Sequence, residues 1–344
     1  MNQIFKIMNK TFLRSVIFSA LVFTVSCSND EGQEKEIPIR ATPEAFAQIK
    51  STSLESKVQE FQLAASQTGF ITTENGVMFT IHGNCLSRNG NPVTGMVDVQ
   101  VVELFERGAM LTTDKPTMGK LPNGDKALLI SGGEFFLNIT QDGEPVDEDC
   151  DIVATIPADL TGGVDEDMTL WTGNGRDNDC DGIDDDCDGF VWQEMTDANG
   201  DPEEAAVQNG DQGEGFYVAP FGDFGWTNVD RFFSDPRPKT TILVAVPEGF
   251  NDENSQVYLS YVGKPNALAH LDTYDAATGI FSEHYGQIPI GLECHVIFTS
   301  EEDGSWLYGI KSVTIADGQT VAITDADLNT ATESELEALI NGLP

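Results

Sequence analysis

From about residue 69 onward apolar and polar residues alternate. Val77, Phe79 and Ile81 fall on one side of an extended segment, and Val97, Val99 and Val101 do the same with Asp98 and Gln100 between them. A period of two sends successive side chains to opposite faces, so these segments are half-buried strands. Asn89-Gly90-Asn91-Pro92 supplies a turn between them, Gly132-Gly133 precedes a strand over 134–140, and another strand follows at 152–156. A second run begins after Asp235-Pro236-Arg237-Pro238, with strands predicted at 240–246, 256–262, 292–299, 306–310 and 320–324 and turns such as Glu302-Asp303-Gly304 between them. Short strands separated by turn residues, with no helices between, predict antiparallel sandwiches and disfavour a parallel α/β sheet.

Helical spacing is confined to the two ends of this β region. Thr42-Pro43-Glu44 reads as a helix start, with Thr as N-cap and Pro in the first turn, and Leu54, Val58 and Phe61 keep helical spacing after it. One short helix or two are therefore expected between 43 and 66. Near the C-terminus Thr332 and Glu335 form a capping box, and Leu336, Leu339, Ile340 and Leu343 make one apolar stripe suited to docking on a sandwich. The expected fold is mainly β: two antiparallel, Ig-like β-sandwich modules with an acidic insert and short N- and C-terminal helices. The expected divisions are a signal peptide over 1–26, a tether and short helix over 27–67, a first sandwich over 68–160, an Asp-rich insert with irregular strands over 161–236, a second sandwich over 237–326 and a terminal helix over 327–344.

The N-terminus carries an address. Lys6, Lys10 and Arg14 precede an uncharged, mostly apolar run over 15–26 that ends at Cys27. A spanning helix needs about 20 apolar residues, so the shorter run reads as an export signal. Thr24-Val25-Ser26-Cys27 resembles the lipobox of bacterial lipoproteins, with Thr24 in place of the more usual Leu. The resemblance implies acylation of Cys27 and anchoring in a lipid bilayer; the alternative is a plain secretory signal with Cys27 an ordinary thiol. The polar, acidic stretch from Ser28 to Glu34 is similar to the sequence that sends many Bacteroidota lipoproteins across the outer membrane, which implies a site on the cell outer membrane facing the exterior.

Composition narrows the partners. The 344 residues contain 57 Asp and Glu against 18 Lys and Arg, a net charge of -39, with 40% hydrophobic residues. Such a chain has a core but no basic face for phosphates, so nucleic acid is excluded as a partner. Half of the excess charge is local: residues 142–204 contain 22 acids and a single base, Arg176.

At the centre of this insert lies Asp177-Asn178-Asp179-Cys180-Asp181-Gly182-Ile183-Asp184-Asp185-Asp186-Cys187-Asp188-Gly189, with seven aspartates in twelve positions. Neighbouring like charges repel by on the order of 1 kcal/mol each even at water-like dielectric, and a divalent cation reverses the sign. Calcium takes six to eight oxygens, which alternate carboxylates on a tight loop supply. Asp177, Asp179, Asp181, the Ile183 carbonyl, Asp185 and Asp188 are the expected ligands, matching EF-hand places one, three, five, seven, nine and twelve. The twelfth residue is Asp and not Glu, the eighth is Asp184 where an apolar residue is usual, and strands flank the loop. The pattern is closer to the cysteine-containing Asp-rich loops of thrombospondin type 3 repeats, a resemblance of about 13 residues that implies structural calcium. Cys180 and Cys187 are expected to form a disulfide across the loop in an oxidising compartment. Asp197-Ala198-Asn199-Gly200-Asp201 also alternates oxygen ligands, but Asn-Gly marks a turn.

Little else points to chemistry. Cys85 and Cys150 both fall in the first sandwich, leaving open whether they pair, and Cys294 alternates with Leu292, Val296 and Phe298 as a buried thiol. His82, His270, His284 and His295 are scattered, without a His-Glu-x-x-His pair or a Gly-x-Ser-x-Gly elbow. Trp171, Trp192, Trp226 and Trp306 read as core residues and only secondarily as a sugar platform.

Several short motifs run together through the middle of the chain: Asn91-Pro92-Val93-Thr94-Gly95, Glu103-Leu104-Phe105, Lys115-Pro116-Thr117, Ser131-Gly132-Gly133-Glu134, Gly225-Trp226-Thr227-Asn228-Val229-Asp230-Arg231-Phe232 and Pro236-Arg237-Pro238-Lys239-Thr240. Together they resemble a family of uncharacterised Bacteroidota lipoproteins over most of residues 70–250. The resemblance implies an extracytoplasmic β-rich architecture and carries no catalytic residue. The expected function is that of a non-enzymatic surface lipoprotein with a binding or structural role toward a glycan or an envelope protein. The alternative is an extracytoplasmic hydrolase, glycan- or peptide-directed, with a dispersed site.

Overall fold

Among the described residues strand makes up 49% and helix 14%, in several sheets with three short α-helices. The computed structural model describes residues 40–150, 152–173, 190–210, 213–221, 224–283 and 285–344. Cys27, the predicted calcium ligands Asp177, Asp179, Asp181, Ile183, Asp185 and Asp188, and the cysteines Cys180 and Cys187 lie outside the described residues.

The N-terminal helix α1, Pro43–Ser56, starts where its cap predicts, with Thr42 Oγ1 accepting from the Ala45 amide at 3.2 Å. It is shorter than the expected helical stretch. Val58 and Phe61 lie beyond its end, and Gln59–Ala64 is a strand paired antiparallel with Met96–Leu104. The same residues satisfy a period of two, through Phe61 and Leu63, and sheet pairing decides between the two readings.

Two sheets face each other in the first half. An eight-stranded sheet has the long strand Lys126–Gln141 at its middle, flanked by Met96–Leu104 and Gly225–Phe232. A five-stranded sheet runs in the order Ala206–Asn209, Gly215–Phe221, Ile152–Pro157, Met78–His82 and Thr68–Thr72. Phe135 from the first sheet meets Phe79 and Phe221 from the second at ring distances of 6.1 and 5.9 Å, and all three are buried. The stretch 161–236, expected as an insert with irregular strands, supplies strands to both sheets: Thr169–Gly173, Trp192–Glu194 and Gly225–Phe232 to the larger, Ala206–Asn209 and Gly215–Phe221 to the smaller. Gly225–Phe232 and Gly215–Phe221 lie inside their sheets and Ala206–Asn209 forms an edge, while the acidic run falls between Thr169–Gly173 and Trp192–Glu194, outside the described residues.

In the second half a five-stranded sheet centred on Glu293–Glu302 packs beside a four-stranded sheet containing Leu243–Ala245 and Ile280–Ser282. Pairing is antiparallel except at two places among the described residues, where Trp192 runs parallel to Gly119 and Leu243–Ala245 runs parallel to Thr320–Ala322. One buried apolar cluster runs without a break from Leu63 to Ile323, through both halves. The C-terminal helix α3, Glu333–Asn341, carries the predicted capping box and buries Leu336 and Ile340, while Leu339 is exposed.

Candidate functional site

The residues on either side of the Asp-rich stretch pair with each other. Gly173 pairs with Trp192, Thr172 with Gln193 and Trp171 with Glu194, so the ends of the stretch 174–189 are held side by side by a strand pair. Phe190 packs against this strand pair: its ring lies 4.8 Å from Trp192 and 5.8 Å from Trp226 in edge contacts. Gly173 is required there, because a Cβ at that position would sit 2.6 Å from the Phe190 ring and 2.8 Å from Trp226 Cβ. All four tryptophans are buried, as core residues.

Against Phe190 and Trp226 lies a buried charged cluster. Lys115, just after the short helix α2 (Arg107–Thr112), has its Nζ 4.5 Å from the Phe190 ring centre and 5.2 Å from that of Trp226. Burial pulls its pKa down to about 8, against the attraction of Asp114 and Glu134. Glu134 is register partner to Asn228 across the two central strands. Burial, reinforced by the charge of Asp230, pushes the Glu134 carboxyl well above its ordinary value, and burial does the same to Asp230. Asn228 Nδ2 donates to Asp230 Oδ2 at 2.6 Å, and Ser131 Oγ donates to Asn228 Oδ1 at 3.1 Å. Lys115, Glu134, Asn228 and Asp230 are fully buried. Three of the sequence motifs, around 115–117, 131–134 and 225–232, therefore meet in one place. Arg231, next to Asp230, turns to the surface and pairs with Asp165 at 2.6 Å.

Asp114 anchors the neighbouring elements. It accepts from Lys50 of α1 at 2.8 Å, from Gln256 Nε2 at 2.8 and 2.9 Å and from the Tyr258 hydroxyl at 2.9 Å. Burial alone would raise its pKa, but the charges of Lys50, His270 and Lys115 outweigh it and the carboxyl is held far below its ordinary range.

A cavity of about 40 Å³ opens between the two halves, with Lys126, His270, Glu283 and Tyr285 among its walls. Asp272 accepts from Lys126 Nζ at 2.7 Å and from the Tyr285 hydroxyl at 2.6 Å. Burial raises Asp272, yet these two partners outweigh it and leave the pKa low. Glu283 accepts the amides of Tyr285, Gly286 and Gln287 at 2.6 to 3.0 Å, and burial still raises its pKa. Burial lowers the pKa of His270 against the pull of Asp114 and Asp272. The volume suits a few waters; pockets for small organic ligands run to roughly 300–1,000 Å³.

The remaining sequence candidates separate cleanly. Cys85 and Cys150 form a disulfide. Cys294 is a buried thiol whose pKa burial pushes up to about 12, which denies it thiolate character. His295 follows it in the strand and sits opposite Ser260, with its pKa lowered by burial and then by Arg107. Asp197–Asp201 closes on itself as a turn, with the Asp197 carboxylate taking the amides of Asn199 and Asp201. Among the described residues no group of three or more Asp, Glu, His or Cys side chains is placed to hold a metal. Sequence reasoning treated Lys115 and Glu134 only as parts of motifs; the signal that distinguished them was a single charge inside an otherwise apolar strand or turn. A scan of the sequence against protein-family models finds no match, and a search among curated proteins finds none.

Proposed function

We propose that this chain is an exported lipoprotein, acylated at Cys27 and held on the outer membrane facing the exterior, with a binding or structural role and a calcium-stabilised Asp-rich loop. The observation that carries the reading is the Cys85–Cys150 disulfide. Such bonds persist in oxidising compartments outside the cytoplasm. That supports the export signal read over residues 1–26 and, with it, the kinship to Bacteroidota lipoproteins proposed from the shared motifs.

The calcium reading draws on two further facts. The loop carries seven aspartates within 177–188, and the pairing of Gly173 with Trp192 brings its two ends together. A loop closed at its base loses less chain entropy when a cation gathers its carboxylates. Acylation is tested by metabolic labelling with a fatty-acid analogue: label is expected on the wild-type chain and absent from Cys27→Ser, and label persisting in the variant overturns the anchor.

A hydrolase is the second reading, and the perturbed cluster of Lys115, Glu134 and Asp230 is what favours it, since shifted pKa values gather at catalytic sites. Full burial of all three argues for the structural role instead. Unchanged folding with loss of a glycan- or peptide-cleaving activity in Glu134→Gln would reverse that preference.

A further inference from the structure

The five strands of the smaller sheet, Ala206–Asn209, Gly215–Phe221, Ile152–Pro157, Met78–His82 and Thr68–Thr72, contain no Asp, Glu, Lys or Arg. In the chain as a whole 22% of residues are of these four kinds. Burial explains the inward side, where Phe79, Ile81, Ile156 and Tyr217 pack in the core. It does not explain the outward side, which is where a sheet covered on one face normally carries its polar and charged residues.

That outward side is both apolar and hydroxylated. Phe70 is 66% exposed and Met78 39% exposed. Phe70 lies opposite Thr80, and Met78 lies between Thr72 and Thr155 on the adjoining strands. Each apolar side chain is thus flanked across the sheet by threonines, and Phe216 extends the face on a further strand. A sugar ring presents an apolar C–H face and a rim of hydroxyls; aromatic rings stack on the first, and side-chain hydroxyls bond the second.

Charge selects the occupant. With a net charge of -39 the protein repels anionic polymers and a second copy of itself, while an uncharged ligand brings no repulsion. A cationic partner is drawn to acidic surface, and these five strands supply no acidic side chain. We infer that the outward face of this five-stranded sheet, centred on Phe70, Met78 and Phe216, binds an uncharged polysaccharide. The inference rests on the binding role proposed above and names its ligand class.

The test is affinity electrophoresis of the full chain in detergent through gels containing starch, dextran or hydroxyethyl cellulose, with alginate as the anionic control. Retardation by at least one neutral polymer, insensitive to salt and absent with alginate, is expected. Phe70→Ala should weaken it roughly tenfold and Thr155→Asp should abolish it, both with the wild-type melting temperature. Passage through all three neutral gels without retardation overturns the inference, as does retardation unaffected by both substitutions. Dimerisation in light scattering that Phe70→Asp abolishes, without retardation, assigns the face to a second copy and overturns it too. Calcium-dependent melting and acylation are read on the same preparation: if they hold while no polymer binds, only the ligand falls, and if polymer binds without them, the ligand stands and the lipoprotein reading falls.

Discussion

The guanidinium of Arg107 donates to the main-chain carbonyl of Ile340 at 3.0 Å. It also donates to Leu343 O and, at 2.6 Å, to Ser260 Oγ, so one buried side chain joins α2, the last turn of α3 and a strand of the second half. The last carbonyls of a helix have no partner within it, and here a cation supplies them. Gly108 lets the helices approach: a Cβ there would sit 2.7 Å from Glu337 O.

Removing this link should be expensive. Arg107→Ala is expected to destabilise the protein by about 3 kcal/mol, since buried acceptors lose charged donors. Arg107→Lys should recover only part, having no fork to reach three acceptors. Urea denaturation at neutral pH measures both, and an unchanged midpoint for Arg107→Ala would show that α3 is held by its apolar face alone.

The buried carboxyl of Glu134 sets a pH dependence. Its folded pKa is raised, so its contribution is complete below the unfolded value, near 4.5, and is lost as pH rises toward the folded value. Glu134→Gln removes that loss. The difference in unfolding free energy, variant minus wild type, should therefore grow as pH rises from 5 to 8, by up to about 1.4 kcal/mol per pH unit while Glu134 stays protonated in the folded chain. A difference independent of pH would mean that Glu134 is ionised throughout, paired with Lys115.

Gly173 tests the packing of Phe190 and Trp226 on the strand pair beside the Asp-rich stretch. Gly173→Ala forces Phe190 or Trp226 to move, and overpacking of this kind costs about 1–3 kcal/mol. A lower melting temperature with altered near-ultraviolet circular dichroism from the tryptophans is expected. Unchanged values would place Phe190 away from the Gly173–Trp192 pair.

Cys85 and Cys150 are separated by 65 residues. In the chain-entropy account a bridge closing such a loop contributes about 4 kcal/mol. The double Cys→Ser variant should show that loss in denaturant, and a reductant should give the wild type the same midpoint.

How legible this was from sequence depends on the kind of residue. Alternation marked Val97, Val99 and Val101 as one face, and all three are buried. The capping box of Thr332 and Glu335 forms both of its bonds. Val58 and Phe61 misled because a spacing that fits a helix also fits a strand over so short a run, and only the partner Met96–Leu104 decides. The strands within 161–236 were obscured by the acids around them: Leu170 and Trp171 are fully buried, yet Asp165, Glu166 and Asp167 precede them and the Asp-rich stretch follows. Lys115, Glu134 and Asp230 were the least legible, because a charge ordinarily faces water and nothing local says that three strand and turn segments will enclose it.

The melting temperature of the full chain in detergent, first in EDTA and then through a calcium titration, tests whether the Asp-rich stretch holds calcium. A saturable rise of roughly 5 °C is expected at calcium a hundredfold above the dissociation constant, and it should vanish when Asp179 and Asp181 become Asn. No shift at millimolar calcium would overturn the calcium site and leave the Asp-rich stretch a solvated acidic linker.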